Sequence, residues 1–139
     1  SFAAASAKFK CPFSALGLTA EAASTVTFAR LMGHQQASWT LLSSEWLSAE
    51  AAKAAGLVMS VFADEDLLSG TMRHADTLAA LPLASLIQTK ALLMRTQKEG
   101  LKAAVAEENA ALDRLKGGAA NLEAVKAFQE KRLPDFGGF

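Results

Sequence analysis

The feature that most constrains the fold is a succession of alanine- and leucine-rich segments, with helical spacing, from Asp64 to the end of the chain. Pro82 has no backbone N–H to donate and is expected to break the first segment, and Gly117-Gly118 ends a later one. These helix-breaking residues and the apolar spacing predict helices over 64–81, 83–97, 101–116 and 121–132. Amphipathic helices of this kind form in order to bury one face, so these faces need partners.

The segment 101–116 shows the two faces most clearly. Its apolar residues are expected to point inward: Leu101, Val105, Leu112 and Leu115. Its charged residues are expected to face solvent: Glu107, Glu108, Asp113, Arg114 and Lys116. Gly100 is predicted to interrupt the chain before this helix, and Asn121 to cap the last one.

Residues 1–63 combine strands with helices. Strands are predicted over 2–10 and 57–62, a loop over 12–19, and helices from about Ala20 to Gly33 and over 34–42. Ser48 is a suitable N-cap for a short alanine-rich helix, and Gly56 a suitable stop. The pattern predicts an α-rich α/β fold with two regions, 1–63 and 64–139.

Composition excludes several classes of partner. The chain has 51% hydrophobic residues, and its 14 basic and 14 acidic residues give no net charge. Proteins that bind nucleic acid or anionic membranes carry clusters of Lys and Arg, and this chain has no such cluster. No apolar run reaches the roughly 18 residues that a transmembrane helix requires. One cysteine and two histidines provide neither an intrachain disulfide nor a zinc set, so we expect no metal and a cytoplasmic location. The chain starts without Met in an apolar, strand-like segment, which suggests a cut end.

The best candidate for chemistry is Glu21, the only charged residue between Lys10 and Arg30. Its neighbours are apolar, and poor solvation raises the pKa of a carboxyl toward the range useful for a general base. The alternative is an exposed glutamate that merely favours the N-terminus of a helix. His34 and His74 lack partners at catalytic spacing, Cys11 has no histidine to activate it, and Trp39 and Trp46 are interpreted as core or interface aromatics.

Four stretches together carry a resemblance to a known family. They are Pro12-Phe13 with Leu16-Gly17-Leu18-Thr19-Ala20-Glu21-Ala22-Ala23-Ser24-Thr25, then Met32-Gly33 with Ala37, then Leu47-Ser48-Ala49-Glu50 with Ala52, Gly56-Leu57-Val58 and Val61-Phe62, and finally Ala127-Phe128 with Glu130-Lys131-Arg132, Pro134 and Phe136. In order and spacing they resemble the crotonase superfamily, the enoyl-CoA hydratases and isomerases.

The resemblance implies the C-terminal part of a crotonase fold, a spiral of ββα units followed by a helical trimerisation region. It also implies an acyl-CoA thioester as substrate, no separate cofactor, and a homotrimer or hexamer. In eukaryotes, such proteins belong to the peroxisome or the mitochondrial matrix. Members of the family stabilise an enolate with two backbone N–H groups, and the resemblance places both before Ser1.

Within the superfamily, hydratases usually carry a catalytic glutamate directly after the loop proline, where this chain has Phe13. Peroxisomal-type Δ3,Δ2-enoyl-CoA isomerases instead have Pro-Phe there and a catalytic glutamate in Leu-Gly-x-Ser-Pro-Glu-Gly-x-Ser-Ser. Glu21 falls on that glutamate, although Ala20 and Ala22 replace the flanking proline and glycine. The resemblance therefore implies an isomerase with Glu21 as the base.

The same resemblance suggests roles for three other residues. Lys131 falls where relatives reach the phosphates of CoA, with a solvated helix-end lysine as the alternative. Phe13 and Leu16 line the acyl tunnel or simply pack the loop. Ser44 and Trp46 replace a glycine and a basic residue that relatives often carry.

Two other functions fit the resemblance. One is an enoyl-CoA hydratase, and the other is a crotonase-like module that binds CoA without catalysis.

Overall fold

The computed structural model describes residues 1–139 and contains six helices and four short strands. The helices are α1 (Ser24–Ser43), α2 (Ala49–Ala54), α3 (Leu67–Ala79), α4 (Leu83–Arg95), α5 (Lys98–Leu115) and α6 (Ala119–Gln129). The strands are β1 (Phe2–Ala4), β2 (Lys8–Phe9), β3 (Leu47–Ser48) and β4 (Ser60–Phe62), and two 3₁₀ turns cover Ser14–Leu16 and Asp64–Asp66. The α-rich class predicted from the sequence is confirmed.

The strands form two separate pairs. β1 lies parallel to β4, with Ala3 opposite Val61, and β2 lies antiparallel to β3. The single strand predicted over 2–10 is wrong, because the chain turns after β1 and the Ala7 N–H bonds back to the Ala4 carbonyl at 3.0 Å. The strand predicted over 57–62 is limited to Ser60–Phe62, which is the length of its partner β1.

The short helix α2 follows its sequence signals closely. The Ala51 N–H donates to the Ser48 hydroxyl at 3.2 Å, which confirms the predicted N-cap. Gly56 follows the helix with φ +83°, and a Cβ there would lie 2.5 Å from the Leu31 carbonyl oxygen. The buried core cluster beside α2 is small: Ala3, Ala49, Ala52 and Val58. Small side chains let the helix pack closely on β4.

Helix α1 has a break at Gly33, where φ is 75° and ψ is 160°. This confirms the predicted succession of two helical segments on either side of this glycine. The first segment begins at Ser24 rather than Ala20, because Ala22 and Ala23 both have positive φ and stand outside the helix. The loop before α1 is therefore longer than the sequence predicts.

The second region departs from the sequence pattern at two helix starts. Pro82 separates α3 from α4 as predicted, but Gly100 lies inside α5, whose first residue is Lys98. Helix α6 begins at Ala119 with Gly118 as its N-cap, so the predicted capping role of Asn121 is wrong. No single helix is long and apolar enough to span a membrane. Only Asp64–Ala79 and Leu83–Arg95 taken together, a pair bent by 105°, have the required length and hydropathy.

Contacts connect the two predicted regions at three places. Helix α3 packs on β1 and β4, α5 packs on α1, and α6 packs on the Ser14–Leu16 turn. No large side chain is fully buried, and many apolar residues of α3 and α4 are exposed, among them Leu68, Leu83, Leu92 and Leu93. The second region therefore supports the loop before α1 while leaving much of its own apolar surface uncovered.

Candidate functional site

The loop that follows Cys11 is organised around one carbonyl group. The Phe13 carbonyl accepts hydrogen bonds from the Leu16 N–H at 3.0 Å and the Leu18 N–H at 2.9 Å. Gly17 has φ +64°, which closes the turn with a conformation that glycine adopts without strain. Phe13 is half-buried, and Leu16 is 37% exposed. Both residues predicted to line an acyl tunnel thus lie on the same short turn.

Two side chains from distant elements hold this turn. The Ala15 N–H donates to the Ser44 hydroxyl at 3.1 Å, and Asn121 Nδ2 donates to the Leu16 carbonyl at 2.8 Å. Asn121 Oδ1 also accepts the Gly117 N–H at 3.0 Å. Instead of capping α6, Asn121 therefore ties the start of that helix to the loop. Ser44 is buried with φ +55°, a left-handed conformation that favours glycine.

Glu21 lies at the start of a tight turn into α1. Its carbonyl accepts the Ser24 N–H at 3.1 Å, while Ala22 and Ala23 have φ of 60° and 56°. The Glu21 side chain is exposed, so the apolar enclosure predicted from its neighbours is wrong for residues 1–139. The three ion pairs of the chain involve other carboxylates. The site thus presents a free carboxylate on a strained turn.

Glu108 holds this turn from the opposite side, and the prediction that it faces solvent is wrong. It is 6% exposed, and its Oε2 accepts the Ala23 N–H at 2.6 Å. Its Oε1 accepts the Thr25 N–H at 3.1 Å and the Thr25 hydroxyl at 2.6 Å. One sequence signal points to it, since Glu108 is four residues from both Ala104 and Leu112 and so lies on the inward face of α5.

Lys131 follows the C-terminal end of α6. The Arg132 N–H bonds to the Ala127 carbonyl at 3.0 Å and the Lys131 N–H to the Phe128 carbonyl at 3.2 Å, which is a Schellman motif with Lys131, φ +54°, in the position that favours glycine. The Lys131 side chain is exposed, and no ion pair uses it. The helix-end location is as predicted, and its ammonium group is free.

Arg132, the cation next to Lys131, forms ion pairs with two glutamates. Arg132 Nη2 donates to Glu123 at 3.1 Å and Arg132 Nε to Glu130 at 2.7 Å, and the Asp135 N–H also donates to Glu123. The hydrogen bond from Arg132 is the main reason that the pKa of Glu123 falls to about 2, and the same contacts raise the pKa of Arg132. This arrangement fixes the tail after α6 and leaves Lys131 as its unpaired positive charge.

The remaining candidates are the two histidines, the two tryptophans and the single cysteine. His34 is exposed on α1, and the ring of His74 on α3 lies 4.7 Å from that of Phe2. Trp39 and Trp46 are 59% and 65% exposed, so neither is a core residue of this chain. Cys11 is half-buried, and desolvation raises the pKa of its thiol, which disfavours the thiolate. No group of three or more potential metal-ligating side chains is close enough to hold an ion.

Five surface cavities are formed without the predicted site residues. A groove of about 700 Å³ runs between α5 and the start of α1, and Thr25, Glu108 and Arg114 are among the residues that line it. Glu21, Phe13, Leu16 and Lys131 line none of these five cavities. Residues 1–139 thus hold Glu21 and the Phe13–Leu16 turn in place without forming a closed pocket over them.

Comparison with known proteins identifies what this arrangement is similar to. Residues 1–138 match the family model described as enoyl-CoA hydratase/isomerase. The chain is 33% identical over 132 residues to 2,3-dehydroadipyl-CoA hydratase of Escherichia coli K12, a match that covers 95% of this chain and 52% of the hydratase. It is 37% identical over 107 residues to enoyl-CoA delta isomerase 2 of Rattus norvegicus, covering 77% of this chain and 27% of the isomerase.

A solved structure has the same fold over nearly the whole chain. The crystal structure of an enoyl-CoA hydratase/isomerase from Pseudoalteromonas atlantica T6c superposes with a TM-score of 0.90 at 35% identity. The superposition covers 97% of this chain and 54% of that one. The chain therefore spans about half the length of this structure and of the E. coli hydratase.

Proposed function

Since the chain belongs to the enoyl-CoA hydratase/isomerase family, we propose that the protein containing it is an enoyl-CoA isomerase that moves a double bond from C3 to C2 of an acyl-CoA thioester. The observation that carries this proposal is the exposed, unpaired carboxylate of Glu21 on a turn fixed by Glu108. The Phe13–Leu16 turn on the same loop is held by Ser44 and Asn121. A base must be both free to accept a proton and held in position.

The proposed reaction is a 1,3-proton shift. The Glu21 carboxylate removes a proton from C2 of a 3-enoyl-CoA. The electron pair of that C–H bond forms a C1–C2 double bond, and the π pair of the thioester carbonyl moves onto its oxygen to give a dienolate. When the carbonyl re-forms, the C1–C2 pair shifts to C2–C3, and the former C3–C4 pair takes the proton from Glu21 at C4. One carboxylate serves both steps, and the proposed reaction uses no oxidant, metal or organic cofactor.

Phe13 favours isomerisation over hydration. Addition of water requires carboxylates that orient the water and deliver a proton, and the position after Pro12 holds an apolar ring instead. The identity of 37% to a protein named as a delta isomerase supports the same choice. In this proposal Phe13 and Leu16 contact the acyl chain, because their turn lies on the same loop as Glu21.

Lys131 is proposed to bind a phosphate of CoA. Arg132 is committed to Glu123 and Glu130, so Lys131 is the cation after α6 that remains free for an anion. An ammonium group on a flexible stem suits this contact as a mobile point charge. Glu21 would then act on the acyl end of the substrate and Lys131 on its nucleotide end.

The test is conversion of 3-enoyl-CoA to 2-enoyl-CoA by the intact protein, measured by absorbance. Glu21→Gln keeps the size of the side chain but cannot accept the proton, so kcat is expected to fall by about a hundredfold or more. Glu50→Gln is the matched control, since Glu50 is an exposed carboxylate in the first turn of α2. A rate for Glu21→Gln equal to that of Glu50→Gln would refute the assignment of the base.

Hydration is the second candidate, because the chain is 33% identical to a hydratase over 95% of its length. Loss of 2-enoyl-CoA absorbance in the same preparation measures it directly. Hydration faster than isomerisation, and unchanged in Glu21→Gln, would establish the hydratase and assign its chemistry to other carboxylates. Binding of CoA thioesters without either reaction would instead favour the non-catalytic module.

A further inference from the structure

The contact between Glu108 and the start of α1 joins two parts of the chain that are far apart in sequence. Ala23 and Glu108 are separated by 85 positions, yet the Ala23 N–H and Glu108 Oε2 are 2.6 Å apart. The other carboxylate oxygen takes two donors from Thr25, its N–H and its hydroxyl. All three donors come from the turn that begins at Glu21.

This turn lacks a cap of its own. Ala23 precedes α1 and has no side chain with which to accept the free N–H groups of the first helical turn. Ala22 and Ala23 also adopt left-handed conformations that side-chain-bearing residues disfavour. A buried carboxylate that accepts the free donors and favours the positive end of the helix dipole stabilises this geometry.

The contacts of the Glu108 carboxylate are with donors of this turn. Arg114 and Glu107 line the same groove, but no ion pair joins Glu108 to a cation, and three donors of the turn satisfy its oxygens. Glu108 lines this groove but is only 6% exposed, and both of its carboxylate oxygens already accept donors of the turn. Its effect on any reaction must pass through the backbone it holds.

We propose that Glu108 is a positioning residue that fixes the carboxylate of Glu21 for proton transfer. The inference rests on the proposed function of Glu21. The path is short: Glu108 holds Ala23, the Ser24 N–H bonds to the Glu21 carbonyl at 3.1 Å, and Glu21 stands two residues before the contact. Displacement of a catalytic group by about 1 Å can reduce a rate a hundredfold, so a loosened turn affects the reaction strongly.

Glu108→Gln in the intact protein tests the inference. The glutamine amide offers one acceptor oxygen, and its NH₂ group would oppose an N–H of the turn. We expect kcat for isomerisation to fall between about tenfold and a hundredfold with little change in KM. Glu107→Gln is the matched control on the adjacent, exposed residue, and it should retain the wild-type kcat.

A double variant separates positioning from mere stability. If Glu108 acts through Glu21, the kcat of Glu21→Gln/Glu108→Gln should equal that of Glu21→Gln alone. Full multiplication of the two losses, or a folded Glu108→Gln with wild-type kcat while Glu21→Gln is inactive, would overturn the inference and leave the proposed function standing. Wild-type activity of Glu21→Gln would instead overturn the proposed function.

A second pair of variants applies if Glu108→Gln does not fold. Thr25→Val removes only the hydroxyl donor, and Glu108 keeps both backbone donors. We expect a severalfold loss of kcat in Thr25→Val and recovery in Thr25→Ser, which retains the hydroxyl. Equal kcat values for wild type, Thr25→Val and Thr25→Ser would count against positioning of the turn by Glu108.

Discussion

Ala22, on the turn that carries Glu21, adopts a backbone conformation that is unfavourable for alanine. Its φ of 60° is left-handed, and the isomerase motif quoted above has glycine at this position. A Cβ in this conformation costs about 1 kcal/mol. The turn therefore keeps its shape through the contacts of Glu108 rather than through local preference.

Ala22→Gly is accordingly expected to raise the unfolding free energy of the intact protein by up to about 1 kcal/mol. Ala29→Gly, in the interior of α1, is the control and should lower it by about the same amount. Thermal unfolding of both variants measures the difference. A midpoint for Ala22→Gly as low as that of Ala29→Gly would contradict the assigned strain.

The sequence predicts single residues well where the signal is local. Ser48 caps α2 because a serine before an alanine-rich run can accept an N–H three residues later. Glu108 was missed because its partners are the N–H groups of Ala23 and Thr25, which no sequence pattern connects to it. Asn121 was misassigned for the same reason, since it bonds to Leu16 across the fold.

At the scale of helices, Gly70 and Gly100, which lie within α3 and α5, give opposite expectations. A Cβ on Gly100 in α5 would find only Arg30 Nη2, at 3.7 Å. A Cβ on Gly70 in α3 would lie 2.6 Å from the Phe62 ring. Gly100 is thus tolerated within its helix, whereas Gly70 is required by close packing of α3 on β4.

Gly100→Ala should therefore stabilise the intact protein by about 1 kcal/mol through helix propensity. Gly70→Ala should destabilise it by about 1–3 kcal/mol through overpacking against Phe62. Denaturant unfolding of the two variants provides the comparison. Equal shifts of the two midpoints in one direction would refute the packing described for α3.

The tail that follows α6 is expected to respond to acid. The pKa of Glu123 is lowered from 4.5 to about 2, so the folded protein binds fewer protons at this group than the unfolded chain. Its contribution to stability is complete above about pH 4.5 and is lost as the pH falls toward 2. The largest cause of the lowered pKa is the hydrogen bond from Arg132, followed by the hydrogen bond from the Asp135 N–H.

The difference in unfolding free energy between wild type and Glu123→Gln should be constant at higher pH and shrink between pH 4.5 and about 2. Glu50→Gln again provides the control, because Glu50 forms no ion pair. Denaturation at a series of pH values gives both differences. A Glu123→Gln difference that does not vary over this range would contradict the role of the Arg132 contact.

The element boundaries show where sequence patterns are informative. Gly33, Gly56 and Pro82 act as predicted because each changes the backbone locally, whatever surrounds it. The strands were predicted too long because strand length follows the partner, and β1 and β4 limit each other to three residues. The start of α1 was predicted four residues early, since the left-handed pair Ala22 and Ala23 has no sequence signature.

For the whole molecule, the uncovered apolar surface is the dominant feature. The core cluster holds only small residues, while Leu68, Leu83 and Leu93 are 72%, 69% and 62% exposed. Apolar surface of this extent marks contact with other protein surface. The sequence predicted that the helical faces need partners, and the structure confirms that residues 1–139 do not cover them.

We propose that the intact protein covers this surface partly by assembly of three or six copies. Sedimentation of the intact protein should then give three or six times the mass of one chain. Replacement of Leu92 and Leu93 by Asp, on the exposed face of α4, should lower that mass. A wild-type protein that sediments as a single copy would refute the assembly.

The most direct test of the account is a crystal structure of the intact protein with a non-reacting acyl-CoA analogue. If Glu21 is the base, one of its carboxylate oxygens should lie within about 3.5 Å of both C2 and C4 of the acyl chain. The acyl chain should also contact Phe13, and Glu108 should still accept the Ala23 N–H. A structure in which Glu21 faces solvent while another carboxylate contacts C2 would contradict the central claim.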